Sequence, residues 1–150
     1  MINLCDNEAV AKELAEDEEF VSLLLTKIAS TDYINCDEIA MLLANITKDE
    51  KLAGRLVRLR LAVPKGVSDS AIALDQLMDC FVKGADGALN PIASFDFLSY
   101  VFANISSTAE GRQYFVTRQD YDGVVPVQKL VVFTEYKSQI RRTGVASTIK

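Results

Sequence analysis

The sequence predicts an all-α protein built from stacked helical repeats, and three observations carry that prediction. A fragment recurs three times, as INLCDNEAVAKEL at Ile2–Leu14, LLANITKDEKLAGRL at Leu42–Leu56 and VFANISSTAEGRQYF at Val101–Phe115. Apolar residues return every three or four positions along most of the chain, the period of an amphipathic helix. Runs of β-branched residues are sparse. Leu130-Val131-Val132-Phe133 is the one stretch that competes as a strand, and its helical neighbours favour helix.

The elements follow in order. Asp6–Ala15 is a short amphipathic segment. Glu18–Ala29 carries Phe20, Leu23, Leu24 and Ile28 on one stripe. Cys36–Thr47 carries Ile39, Leu42, Leu43 and Ile46, and Asp49–Arg60 carries Leu52, Leu56 and Leu59. Ser70–Lys83 brings Ile72, Leu74, Leu77, Met78 and Phe81, with Gly84 as its stop. Phe95–Ser106 is strongly apolar. Thr108–Thr117, Val125–Tyr136 and Ser138–Lys150 complete the helices. Between them, Leu61–Asp69 holds Pro64, Gly66 and Ser68 and reads as a surface excursion. Gln119–Val124 reads as a turn around Asp-Gly.

The repeated fragments place an Asn beside an aliphatic residue at Asn3, Asn45 and Asn104. The spacing is 42 residues and then 59, and removing the 61–69 excursion with its flanks brings the second towards the first. A period of about 40–47 residues with two or three helices per unit is the armadillo/HEAT signature. The expectation is therefore one repeat domain over 1–150, a right-handed superhelix of helix pairs or triplets with a long concave surface and a variable loop at 61–69.

Asn is a poor helix-interior residue, because its amide competes for backbone groups. Each copy stands just before a break. One reading makes it a helix-end cap or an amide that ties adjacent units together. The other makes it part of a ladder that faces the groove and bonds an extended peptide. Asn45-Ile46-Thr47 and Asn104-Ile105-Ser106 also match the glycosylation pattern, but both are embedded in apolar helix.

Composition narrows the function classes. The chain has 150 residues, 49% hydrophobic and 25% charged, which suits a globular domain with a sizeable core. It contains no His, so His-based acid–base chemistry, triads and the usual zinc ligands are excluded. Neither a Walker-type loop nor G-x-G-x-x-G is present. Cys5, Cys36 and Cys80 lie far apart, the usage of a reducing compartment with buried thiols. No catalytic residue, metal site or cofactor is expected. The net charge of −5 opposes phosphate binding, so no nucleic-acid partner is expected either. No run is long enough for a membrane span. Acids concentrate in residues 1–50, including Glu16-Asp17-Glu18-Glu19, which reads as a solvated turn and helix start or as a patch for a basic partner.

The second half is more specific. LMDCFVKG (Leu77–Gly84), ASFDFLSYVFANIS (Ala93–Ser106), GRQYFVTRQDYDGVVPVQKLVVFTE (Gly111–Glu135) and IRRTGVASTIK (Ile140–Lys150) resemble the Hgh-type armadillo-like family, in wording closest to fungal members. From Ile2 to Arg60 the resemblance is looser but in register. It implies a cytosolic adaptor that recognises newly made translation elongation factor 2 and helps it fold with the cytosolic chaperonin and chaperones. It also implies a longer solenoid, of which this chain holds the middle units.

Candidate contact residues come from the best-matched segments. Asp96, Tyr100 and Asn104 are spaced to share one helix face, with Asn45 on the preceding unit. Arg112 and Tyr114 follow, then Asp120, Tyr121 and Asp122 in the loop, and Arg141 and Arg142 early in the last helix. Each has a plainer role open to it. Tyr100 and Tyr114 can pack with a wet hydroxyl, and Arg112 can form an ion pair or cap. Phe81, Phe95, Phe102 and Phe115 are expected in the core. A generic armadillo peptide-binding scaffold or transport adaptor is the alternative function, although cargo readers pair groove Asn with Trp and this chain has none.

Overall fold

The computed structural model describes residues 6–150. Asn3 and Cys5 lie outside the described residues. Among those described there are nine α-helices and no strand, with a lone antiparallel bridge between Arg60 and Ile72. The helices are α1 Glu8–Glu16, α2 Glu18–Ile28, α3 Cys36–Ile46, α4 Glu50–Leu56, α5 Ala73–Lys83, α6 Leu98–Ser106, α7 Ala109–Val116, α8 Pro126–Val131 and α9 Gln139–Ile149.

Local chemistry sets where they start. The side chains of Asn7, Asp17, Asp49, Thr108 and Ser138 each accept a backbone N–H from the first turn of α1, α2, α4, α7 and α9, satisfying donors that have no partner within the helix. Glu16-Asp17-Glu18-Glu19 is thus an exposed break and helix start. Pro126 opens α8, where its missing N–H costs nothing.

Four elements are shorter than their periodicity predicts, each for a visible reason. α4 stops at Leu56 rather than Arg60, because the chain turns to pair with the entry to α5. Leu61 donates its N–H to Ala71 at 2.7 Å and Ala73 donates to Leu59 at 2.8 Å. The same pairing delays α5 to Ala73. α6 starts at Leu98 because Phe95 adopts a φ of 59°, a left-handed conformation that ends any helix to its left. α8 stops at Val131, and residues 132–136 continue as tight turns, with Phe133 donating to Leu130 at 2.9 Å and Tyr136 to Phe133 at 3.2 Å. Leu130–Phe133 is therefore helix end and turn.

The 61–69 segment is tied down. Val67 and Ser68 are buried, Lys83 Nζ donates to the Val67 carbonyl at 2.6 Å, and Gln76 Nε2 donates to the Ala62 carbonyl at 3.0 Å. Ala62, Val63, Lys65, Gly66 and Asp69 remain exposed.

The helices pack in rows. α2 packs on α5 and α5 on α8; α3 packs on α6 and α6 on α9; α4 packs on α7. From α2 to α6 each helix meets the one three places further on, which fits a helical repeat solenoid. A chain of edge-to-face aromatic pairs joins the rows: Phe81 meets Phe102 at 5.3 Å and Phe133 at 5.1 Å, and Phe102 meets Phe115 at 6.2 Å. Phe81, Phe95, Phe102 and Phe115 are all buried. Gly84 ends α5 where Phe95 crosses it, and a Cβ there would lie 2.3 Å from the Phe95 ring.

Candidate functional site

The row α3–α6–α9 carries Asn45, Tyr100, Asn104, Arg141 and Arg142 among the predicted contact residues. It is pinned at both ends of its helices. At the carboxyl end, Asn104 Nδ2 on α6 donates to the Ala44 carbonyl at 2.8 Å and to Thr47 Oγ1 at 3.0 Å, both at the end of α3. The Ala44 carbonyl is one of the acceptors a helix end leaves without a partner. Thr47, 1% exposed, passes its own proton to the Leu43 carbonyl at 2.7 Å. Asn104 is therefore the amide that ties adjacent units, and its donor is used inside the protein.

At the amino end a carboxylate takes the matching part. Asp37 on α3 accepts the Ser94 N–H at 3.0 Å and the Phe95 N–H at 2.8 Å, donors at the entry to α6. Asp96 accepts from Arg141 Nε at 2.8 Å. Asp37 and Asp96 each stand eight residues before an Asn, Asn45 and Asn104.

Arg141 differs from its expected place on the surface. It is 0% exposed. Besides Asp96, its guanidinium donates to the Phe81 carbonyl at 2.9 Å and the Ser94 carbonyl at 2.8 Å. The Phe81 ring lies 3.8 Å away and the Phe133 ring 4.6 Å. A buried charge needs such complete pairing. Asp96 also departs from the expected face, because the turn at Phe95 leaves it outside α6 and aims it at Arg141. Arg142 bonds the Lys137 carbonyl at 3.0 Å in the turn before α9.

Tyr114 is likewise inside rather than on a groove. It is 6% exposed, and its hydroxyl donates to Asp75 Oδ1 at 2.6 Å. Asp75 accepts a second hydroxyl, from Ser70, at 2.6 Å. Burial pushes the Asp75 carboxyl above the usual carboxylate range, against the pull of those hydroxyls and of Lys129. One turn on, Asp79 accepts the Tyr121 hydroxyl at 3.3 Å, Lys129 donates to that hydroxyl at 2.9 Å, and Lys129 also pairs with Asp122. Tyr121 thus ties the 119–124 turn to α5, and Asp122 ties it to α8. Burial raises both phenols further, then Asp75 acts on Tyr114 and Asp79 on Tyr121, so both stay protonated.

The remaining predicted residues face solvent to differing degrees. Arg112 is exposed and caps the end of α6, donating to the Ser107 carbonyl at 2.8 Å. Asp120 is exposed. Tyr100 is half-buried beside Phe97, with ring centroids 6.1 Å apart. Asn45 is half-buried in a cleft of about 680 Å³ between α1 and the end of α3, lined also by Lys12, Lys48 and Asp49.

The arrangement offers binding surface and internal pairing. Burial pushes the Cys36 thiol up to about 11 and raises Cys80 too, which keeps both protonated and unreactive. Among the described residues no group of three or more Cys, Asp or Glu is placed to hold a metal ion. No helix among them is long and apolar enough to cross a membrane.

Asp37, Asp75, Asp79 and Lys129 were not singled out by the sequence reading. For Asp37 a signal existed, the Asp-to-Asn spacing shared with Asp96 and Asn104. For the α5 acids none did, since only the fold brings Tyr114 and Tyr121 to them.

A family model described as a domain of unknown function (DUF383) matches residues 27–150. The chain is 45% identical over 150 residues to a Protein HGH1 homolog of Schizosaccharomyces pombe, covering 100% of the chain and 41% of that protein. It is 26% identical over 151 residues to a Protein HGH1 homolog of Danio rerio, covering 100% of the chain and 36% of that protein. The chain spans about two fifths of the length of these curated relatives.

Proposed function

The chain belongs to the DUF383 family, that of the HGH1 homologues, and from this premise we propose that it is a non-catalytic, cytosolic protein-binding adaptor that assists folding of translation elongation factor 2 with the cytosolic chaperonin. The observation that carries the proposal is the family match over residues 27–150, joined to what the polar groups do. Asn104, Thr47, Arg141 and Tyr114 bond across neighbouring helices, and the Cys36 and Cys80 thiols and the Tyr114 and Tyr121 phenols are held protonated. Such a scaffold offers contact area. Its client-facing residues are the predicted ones that remain accessible, namely Asn45, Tyr100, Arg112 and Asp120, with the rigid 119–124 turn presenting Tyr121 and Asp122. A preformed surface of this kind engages a partly folded client without ordering itself first.

The test is affinity capture from translating cytosolic extract, with this chain and the whole S. pombe relative as parallel baits and mass spectrometry as readout. Enrichment of elongation factor 2 and chaperonin subunits on both baits is the expected result. Their absence from both overturns the proposal. As a site test, Tyr100→Ala is expected to reduce recovered elongation factor 2 while leaving the helical circular dichroism spectrum unchanged.

A further inference from the structure

Between α4 and α5 the chain runs through a short extended segment whose outer edge is bare. Arg60 forms the antiparallel bridge with Ile72, and its two neighbours make the bonds that close it. Leu61 donates to the Ala71 carbonyl and Leu59 accepts from the Ala73 N–H. Successive residues of an extended chain send their backbone groups to opposite sides. The N–H and C=O of Arg60 therefore point away from Ile72, and among the described residues neither has a hydrogen-bond partner. The Arg58 carbonyl and the Ala62 N–H, which flank them, have none either. Arg58, Arg60 and Ala62 are exposed, while Leu59 and Leu61 are half-buried against the core. That alternation is the period of a strand with one face in and one face out.

The edge is held in place before any partner arrives. Gln76, 2% exposed, donates its amide to the Ala62 carbonyl at 3.0 Å and to the Ser70 carbonyl at 2.9 Å, and so clamps both sides of the bridge. Lys83 holds the loop that follows through the Val67 carbonyl. An unpaired edge is a template for a further strand. A partner that adds to a fixed edge does not have to order it first.

Charge says what adds. Residues 58–69 carry Arg58, Arg60 and Lys65 against one acid, Asp69. None of the three cations makes an ion pair among the described residues. On the adjoining helices Arg55 is matched by Glu18 and Lys83 by Asp79. Glu110 on α7 faces Gly54 of α4, and with it three cations still meet only two acids. The chain as a whole carries −5, so this positive excess is local. A second copy of the same edge would set Arg60 opposite Arg60, and like charges across a strand pair destabilise it. An acidic strand meets the opposite charge instead.

We propose that residues 59–62 are an edge to which an extended, acidic segment of a protein partner adds as a third strand. One residue of that segment exchanges both backbone bonds with Arg60 and carries a carboxylate on the Arg60 face. Its neighbours are aliphatic and lie on the side of Leu59 and Leu61. The proposal rests on the reading of the chain as a protein-binding adaptor.

The probe is a capped peptide of sequence GVEVEVG, titrated into isotope-labelled protein and followed by nuclear magnetic resonance and amide hydrogen exchange. Its controls are GVQVQVG, which lacks the charge, and GVEVEVG N-methylated at both glutamates, which keeps the charge and loses the backbone donors. The acidic peptide is expected to shift the Arg60 and Ala62 amide signals and to slow their exchange, and the controls to do so much less. Arg60→Gln is expected to weaken binding about two- to fivefold. That side chain is exposed and makes no bond, so the variant keeps the fold. Unmoved Arg60 and Ala62 signals, equal affinity for the glutamine peptide, or undiminished binding of the N-methylated one would each overturn the proposal. Protection of these amides that grows with protein concentration alone would assign the edge to a second copy and overturn it too. Capture of elongation factor 2 by the wild-type chain is scored independently, so a failure here is distinguishable from a failure of the adaptor role.

Discussion

The joint between α3 and α6 and the joint between α6 and α9 occupy equivalent places in the row, yet they are made differently. In the first, Asp37 receives backbone N–H groups and Asn104 closes the far end on the carbonyl and hydroxyl of α3. In the second, Asp96 receives a buried guanidinium, and the helices come close enough that Gly144 lies against Ser99. The carboxylate keeps its position while its partner changes from backbone to side chain. What the unit retains is an acceptor at the amino end of each row helix, where the helix dipole also favours negative charge. A joint made with backbone donors does not depend on the chemistry of a partner side chain for its hydrogen bonds. A joint made with Arg141 depends on one residue.

That contrast can be broken at Arg141 first. Arg141→Ala leaves Asp96 and the carbonyls of Phe81 and Ser94 without their donor, and is expected to cost about 3–5 kcal/mol in urea unfolding. Gly144→Ala comes next. A Cβ there would lie 2.2 Å from Ser99 Oγ and 2.5 Å from the Ser99 carbonyl carbon, so α9 must shift. The expected cost is about 1–3 kcal/mol, with little relief from Ser99→Ala because backbone is also in the way. At the first joint Asn104→Ala should cost about 1–2 kcal/mol. Asn104→Asp should cost more, since it sets a carboxylate against helix-end carbonyls.

The smallest effect is expected outside the row, at Asp75. Its carboxyl is raised by burial in the folded state. A raised carboxyl favours folding below its unfolded value of about 3.9 and loses that contribution as pH rises through the folded value. The stability of the wild type relative to Asp75→Asn should therefore fall as pH rises above about 4 in unfolding curves recorded across the acidic to neutral range.

Much of this was legible in the sequence. Apolar periodicity placed the nine helices found among the described residues, and their packing fits the helical repeat solenoid that the repeated fragment predicts. The ends of α4 and α5 were not legible, because tertiary pairing of Leu59 and Leu61 with Ala71 and Ala73 overrides local pattern. Nor was the start of α6, which turns on the backbone of Phe95. Of the recurrent Asn residues, Asn104 makes the joint that its position before a break offered as one choice. Choosing it required seeing Ala44 and Thr47 across from Asn104. Arg141 was hardest of all, because a charged residue among Arg142, Thr143 and Lys150 reads as surface, and only the rings of Phe81 and Phe133 from distant segments reveal a buried niche.

The claim that the recurring Asn joins neighbouring units is tested most directly by a double-mutant cycle between Asn104→Ala and Thr47→Val, read by urea unfolding. A coupling of about 0.5–1.5 kcal/mol between the two sites is the predicted result. Strictly additive effects would contradict it and return Asn104 to the surface as a residue free for a partner.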